Sequence, residues 1–493
     1  MLASNGMRPG SQLARDLLSP LTLALALLFA AIFFAHDPRG SSLAWIGAGA
    51  LLLAGVLFAI KGAPAGMIAL LPLAAFAVWC ALTIAWSQDP DRSWGYTNRT
   101  FVYLGFACLG ALLGEEPRRL LYGLSILLGV VCIWALLGKV VPALYEDYGR
   151  IARLRSPVGY WNALALLGDI ALPIGLCLAT RRRTAGTLLV FGWLVVIGLT
   201  FSRGGVLVAI VVVALWLILS RAWIEALSTL IAAGLPAAGA LAVAFSLDGI
   251  TADGQTHAAR VHAGVVFGIV LLIDALIAVG LSRFPLPQVT AVKRLALAGL
   301  AVVLGAAVGV SAAHAHSWWS SFTTSSGTEL TNSPSRLASA GGNFRYTWWK
   351  QAWKGFEHAP LQGTGAGTFA GTNLRYRTTS LDQTIEPHDL PVQFLSETGV
   401  VGALLFAASV AWLVLRGRRR PGPQLALALA LPAYFLHGLL DLDWDFVSVS
   451  GLAFFIAGAL VVRPSPEQRR PRPFTIVTAA GFLLAVGFSL FAV

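Results

Sequence analysis

The chain has 493 residues, 57% of them hydrophobic and 12% charged, and its 35 Lys and Arg against 23 Asp and Glu give a formal net charge of +12. A soluble domain carries about 25% charged residues, so this composition excludes an ordinary water-soluble fold. The positive charge does not point to nucleic acid either: it sits in short clusters between apolar runs, at 181–183, 416–420 and 463–472, as topogenic charge does.

Taken in order, the apolar runs predict spans at 17–35, 42–60, 66–86, 99–114, 120–141, 161–180, 186–201, 204–220, 222–247, 261–281, 294–312, 391–415, 423–440, 446–462 and 474–492. Lipid forces each run to be helical, because every backbone group must find its partner within the segment. The expectation is an all-α polytopic membrane protein with about 12–15 transmembrane helices. The first run reads as a retained signal-anchor helix. The Gly/Ala-rich stretch 222–312 accommodates two or three helices. With the N-terminus inside, the strong basic clusters fall on the cytoplasmic side and most acids fall outside. Cys80, Cys108, Cys132 and Cys177 lie in or beside apolar runs and read as small buried residues. No Cys/His cluster has metal spacing, and neither a metal nor another cofactor is expected.

One connection differs from the rest. Residues 313–390 form a hydrophilic segment, which the topology puts outside and which divides the chain into a bundle (1–312), an outer loop and C-terminal helices (391–493). Loops of that length are usually functional or disordered. Within it Phe344, Trp348, Trp349, Trp353 and Phe356 recur at helical spacing with Arg345, Lys350 and Lys354 between them, as in an amphipathic helix at a membrane interface. Pro360 and the glycines of "PLQGTGAGTF" then break that helix.

Titratable groups gather at the outer ends of the spans. Arg203 follows Ser202 and precedes Gly204 and Gly205 at the start of a helix, where it is either a snorkelling cation or, with the neighbouring amides and hydroxyl, a phosphate ligand. Arg345 either pairs with lipid headgroups or, beside Tyr346 and the glycine turn, belongs to a site. His388 stands just before a Pro-initiated helix, as a surface histidine or as a base. Gln393 and Glu397 are four apart on one face of that helix, and a carboxylate within a span normally faces a cavity. Asp169 and Asp274 are equally explained as structural partners. The stretch "LHGLLDLDWDF" reads as a solvated acidic rim rather than a metal site.

Four pieces, "FSRGG" (201–205), "FRYTWWKQAW" (344–353), "PLQGTGAGTF" (360–369) and "HDLPVQFLSETGVVGALLF" (388–406), resemble in sequence and order the O-antigen ligase and O-antigen polymerase superfamily, also called Wzy_C. "SPVGYWNALALLGDIALP" (156–173) is similar to that family's asparagine-containing helix, and Asp389 stands where the family often has asparagine. The resemblance implies a metal-independent glycosyltransferase of the GT-C type in the bacterial cytoplasmic membrane, acting on its extracytoplasmic side. The donor it implies is a glycan on undecaprenyl diphosphate, and the acceptor is a glycolipid, a growing glycan or a protein. Carried onto matching positions, Arg203 and Arg345 would hold the diphosphate and His388 would act on the acceptor hydroxyl. Ser202, Gly204, Gly205, Tyr346, Gln393 and Glu397 are the expected binding residues around them. The reading of another class is a secondary transporter, favoured only by Asp169 and Asp274.

Overall fold

The computed structural model describes residues 19–35, 41–144, 151–284, 290–324, 332–416, 421–462 and 481. The basic cluster 463–472 and, but for one residue, the expected span 474–492 lie outside them, as does most of 416–420. Among the described residues every regular element is helical, and each expected span that falls on them lies on a helix. In chain order these are α1 (Pro20–Phe34), α2 (Ser41–Lys61), α3 (Leu71–Thr83), α4 (Pro90–Leu113), α5 (Pro117–Val140), α6 (Trp161–Ala179), α7 (Arg183–Leu199), α8 (Arg203–Leu219) and α9 (Trp223–Phe245). There follow the single turn α10 (Asp248–Thr251), α11 (His257–Ser282), α12 (Thr290–Thr323), α13 (Arg345–His358), α14 (Phe369–Tyr376), α15 (Leu390–Arg416), α16 (Pro423–Ala428), α17 (Ala430–Gly438) and α18 (Val447–Val461). Among the described residues seven helices are long and apolar enough to cross a membrane, and α1, α7, α8 and α18 are shorter apolar helices. The chain is a polytopic all-α membrane protein.

Two boundaries depart from the hydropathy pattern. α4 starts at Pro90, because Asp89 caps it by accepting from the Arg92 amide at 3.2 Å and Pro90 suits the first turn. Its polar first half is not wasted on solvent: Ser93, Thr97, Asn98 and Arg99 are buried. α12 runs on to Thr323, where the expected span stops near 312. Its C-terminal end packs on α13, with Phe322 against Trp349 (ring centroids 5.4 Å) and Trp319 against Tyr346 (5.8 Å). Those contacts compensate for extending a helix past its apolar stretch. The four cysteines are free and buried, as their surroundings suggest.

The core is tightest where α4 crosses α18. A Cβ on Gly110 would lie 1.9 Å from the Phe455 carbonyl oxygen, and one on Gly458 would lie 1.8 Å from that of Ala107. Small residues let helix backbones touch, which is how helices associate when lipid offers no hydrophobic driving force. α6 is the central post: its whole apolar window is buried, against neighbours that include α7, α8, α5 and α17. It runs from Asn162 at one end to the Arg181–Arg183 turn at the other, and α7 returns to the first end just before Arg203. The starts of α6, α8, α13 and α15 and the α17–α18 loop therefore meet at one end of the bundle.

A second network braces that end. Arg99 donates to Asp445, the Tyr96 hydroxyl donates to the same carboxylate (2.7 Å), and Gln393 donates to Tyr96. Glu397 accepts the amides of Gly367 and Phe369, both at 2.9 Å, and so clamps the glycine turn to α15. The turn lies along α15 almost as a paired strand, with Gly365 donating to the Glu397 carbonyl (2.9 Å) and Val400 to that of Pro360 (2.9 Å). α15 accommodates this by breaking its helix at Gly399, at φ 65° and ψ −174°, a region open essentially to glycine alone. An alanine there would set its Cβ 2.3 Å from the Leu361 oxygen. Gly399→Ala is expected to cost about 2 kcal/mol or more, seen as a lower unfolding temperature of the purified protein in detergent. Gly280→Ala, with open space around it, should be neutral or slightly stabilising. Equal losses at both positions would refute this account of the α15 break.

Candidate active site

The site is organised by Asp441, in the loop between α17 and α18, only 2% exposed. One carboxylate oxygen accepts from His388 Nδ1 (2.9 Å), from the Tyr160 hydroxyl (2.8 Å) and from the Leu442 amide (2.9 Å). The other accepts from Asn162 and, at 3.4 Å, from Arg345. Arg345 also donates through Nε to the Leu440 carbonyl at 3.0 Å. Burial by itself would raise the Asp441 pKa, but the hydrogen bond from His388 and the Arg345 guanidinium outweigh it and hold the carboxyl well below the usual range. This aspartate is a permanent anion joining the start of α6, the start of α13 and the segment before α15.

Beside it lies a cavity of about 140 Å³, and Arg153, Arg203, Arg336 and Arg345 all line it, with Asp441 the one carboxylate among the described lining residues. Arg153 is 3% exposed, donates to the Thr200 carbonyl (2.8 Å) and to Asn162 (3.2 Å), and lies 4.2 Å over the Trp161 ring. Burial, and then the facing Arg336 cation, push its pKa below the ordinary value. A guanidinium stays protonated regardless, so the two neighbouring cations repel one another. Arg203 is held by the Ser339 carbonyl and hydroxyl (3.1 Å to the latter) and by the Gly341 carbonyl (2.6 Å). These bonds tie the start of α8 to the segment that leads into α13.

Local backbone geometry marks the same place. Among the described residues the non-glycine positions with positive φ are Phe201 (50°), Asn343 (47°), Phe344 (64°) and His388 (57°). They lie two residues before Arg203, immediately before Arg345, and at His388 itself. Left-handed backbone is unfavourable for such residues and persists where surrounding structure holds it, commonly at functional sites. His388 is held from its other face by Trp348, whose ring stacks on the imidazole (centroids 4.9 Å, 21° between planes). Trp348 in turn donates to the Asp382 carbonyl at 2.8 Å, and Gln351 and Asn373 knit α13, α14 and that segment together.

The structure thus brings Arg203 and Arg345 to one cavity and His388 to the carboxylate that lines it. Ser202 and Gly204 line the cavity too. Gly205 does not; its amide donates to Ser202 Oγ (3.1 Å) as the cap of α8. Tyr346 points elsewhere, under the Lys350 ammonium (4.6 Å to the ring centroid) and against Trp319. Gln393 and Glu397 are 1% and 0% exposed and belong to the bracing network. The acidic stretch 441–445 is no solvated rim: Asp441, Asp443 and Asp445 are 2%, 0% and 5% exposed. Each has its own basic partners, His437 in the case of Asp443 (2.7 Å) and Arg99 in that of Asp445. Sequence reasoning missed Arg153, Arg336, Tyr160 and Asp441 as site residues. The available signal was the alternation of three aspartates beside a span, since acids in such a place need basic partners.

Asp389 caps α15, accepting from the Val392 amide at 2.9 Å. Burial pushes its pKa up to about 6, against the lowering effect of that amide. Between pH ~4 and this value the unfolded chain is already ionised there while the folded protein keeps its proton. Stability is therefore full below that window and is lost as pH rises through it. Asp389→Asn caps equally well and should remove this contribution to the pH slope, so thermal unfolding across pH 4–8 should be flatter in the variant, with its gain largest at neutral pH. An unchanged slope would mean that this carboxyl does not titrate in that window.

Residues 256–407 match the Wzy_C family model, described as O-antigen ligase. The match bears out the resemblance carried by the motifs and supports membership of the O-antigen ligase/polymerase family of glycosyltransferase-type enzymes. It covers Arg345, the glycine turn and His388, while Arg203, Tyr160 and Asp441 lie outside it. No curated protein matches the chain.

Proposed function

We propose that the chain transfers a glycan from undecaprenyl diphosphate to an acceptor hydroxyl at the outer face of the cytoplasmic membrane. The observation that carries this reading is the cavity in which, among the described residues, four guanidinium groups meet a single carboxylate, itself bonded to a histidine. A diphosphate is the anion that such a cavity suits, since guanidinium forks pair with phosphate oxygens. The basic cluster 181–183, at the opposite end of the bundle, supports an outward-facing site. Residues 332–389, with α13 and α14, would roof it.

In this mechanism the acceptor oxygen attacks the anomeric carbon, and the bond from that carbon to the diphosphate oxygen breaks. The electron pair leaves on the diphosphate, where Arg203 and Arg345, with Arg153 and Arg336 behind them, neutralise the added charge. The acceptor's proton passes to His388. Asp441 holds a proton on Nδ1, which leaves Nε2 with its lone pair free to accept. Tyr160 and Asn162 hold Asp441 in place. Tyr346, Gln393 and Glu397 shape the surroundings rather than touch the reacting atoms. The same cavity would serve a ligase or a polymerase; the acceptor alone separates them.

The test supplies purified protein with an undecaprenyl-diphosphate glycan and, in turn, a lipid A core, a glycan and a protein acceptor, with a chelator present. Arg203→Ala and Arg345→Ala should each lower transfer by about 10²–10³, and His388→Ala by about 10²–10⁴. Full transfer by both Arg203→Ala and His388→Ala would overturn the roles assigned, and solute uptake without any transfer would favour a transporter. Asp441→Asn should keep the fold and lower the rate by at least about 10², with a displaced pH profile. A loss of rate with no change in that profile would argue that Asp441 does not act through His388.

A further inference from the structure

A second and larger cavity lies away from this site. It occupies about 1040 Å³ between α5, α7 and α11. Aliphatic and aromatic side chains dominate its walls, among them Ile133, Leu136, Leu188, Phe191, Leu271 and Leu272. Gly129 leaves the surface of α5 bare towards the slot, while Gly192 and Gly268 line it where their helices pack closely on Cys132 and Val140. Among the described residues one charged residue lines it, Arg182, at the N-terminal end of α7. That end is opposite the one that holds Arg203.

The two neighbouring arginines behave differently. Arg183 is spent on the structure, donating to the Ser282 carbonyl and the Ser228 hydroxyl. Arg182 is exposed, and among the described residues its side chain has no hydrogen bond or ion pair. Arg181 adds a further exposed cation beside it. The acid on α11, Asp274, turns towards α9, where a Cβ on Gly239 would lie 3.4 Å from its carboxylate. The mouth of an apolar slot thus carries positive charge with no carboxylate lining it. Basic pockets between membrane helices recognise anionic lipid headgroups in this way.

We propose that this slot binds an anionic two-chain phospholipid, its acyl chains lying between α5, α7 and α11 and its phosphate on Arg182. Charge complementarity selects this occupant over the tail of a polyprenyl carrier. A carrier whose diphosphate sits with Arg203 has an uncharged far end, and offers nothing to an arginine at the opposite side of the bundle.

Native mass spectrometry of the full chain in detergent, with phosphatidylglycerol and phosphatidylethanolamine of matched acyl chains, reads the retained lipid directly. The wild type should retain phosphatidylglycerol about fivefold better, the value of one arginine near a headgroup. Arg182→Gln should bind the two alike. Gly129→Leu should lose both, because its side chain fills the slot. That variant should fold, since an added Cβ meets nothing nearer than Leu189 Cδ1 at 4.0 Å and leucine favours a helix over glycine. Equal retention of both lipids by the wild type would overturn the proposal, as would an undiminished preference in Arg182→Gln. Displacement of phosphatidylglycerol by undecaprenyl phosphate, from wild type and Arg182→Gln alike, would assign the slot to the carrier tail and overturn it too.

Discussion

A single buried carboxylate decides the arrangement of this protein's polar end. Asp441 accepts from His388, Tyr160, Asn162 and Arg345, which come from three separate stretches of the chain. A charge taken out of water is costly unless it is paired and hydrogen-bonded. The fold meets that requirement only when the start of α6, the start of α13 and the segment before α15 all converge on the α17–α18 loop. Stability and site assembly are therefore one constraint: the carboxylate cannot be satisfied without bringing a histidine and an arginine to a common point.

Among the described residues, the cavity next to it is lined by more cations than anions. Arg153, Arg203, Arg336 and Arg345 share it with that one carboxylate, and Asp441 is already divided among its donors. Much of the arginines' capacity is used to fix geometry, as in the bonds from Arg203 to Ser339 and Gly341. In the proposed mechanism the residual positive field receives an anion with several oxygens. Holding that field in place before the ligand arrives is what makes such donors effective when charge develops on a leaving group.

Around this lies a second, purely structural layer. Glu397 clamps the glycine turn, Arg99 and Tyr96 satisfy Asp445, and Asp382 fixes the segment that carries His388. It uses the same residue types as the site but buries them more deeply: Gln393, Glu397, Arg99 and Asp445 are buried, whereas Arg203, Arg345 and His388 are half-buried. Its polar groups also face one another rather than the cavity lined by the arginines. The bulk of the bundle, by contrast, is held by close helix contacts such as α4 on α18.

Hydropathy by itself determined where the chain crosses lipid, because in a bilayer an apolar run has only the helix available to it. It also marked Arg203, Arg345 and His388, since charges at span ends stand out against so apolar a background. It could not determine which of the polar groups face a cavity and which face one another. Tyr346, Gln393 and Glu397 carry the same local signals as the site residues, yet pack elsewhere, whereas Arg153 carried no distinguishing signal, Asp441 carried only one that it shared with Asp443 and Asp445, and both line the cavity. Asn162 and Asp441 are 279 positions apart, and their meeting depends on how α6 packs beside α17, a consequence of side-chain fit between helices that no local pattern encodes.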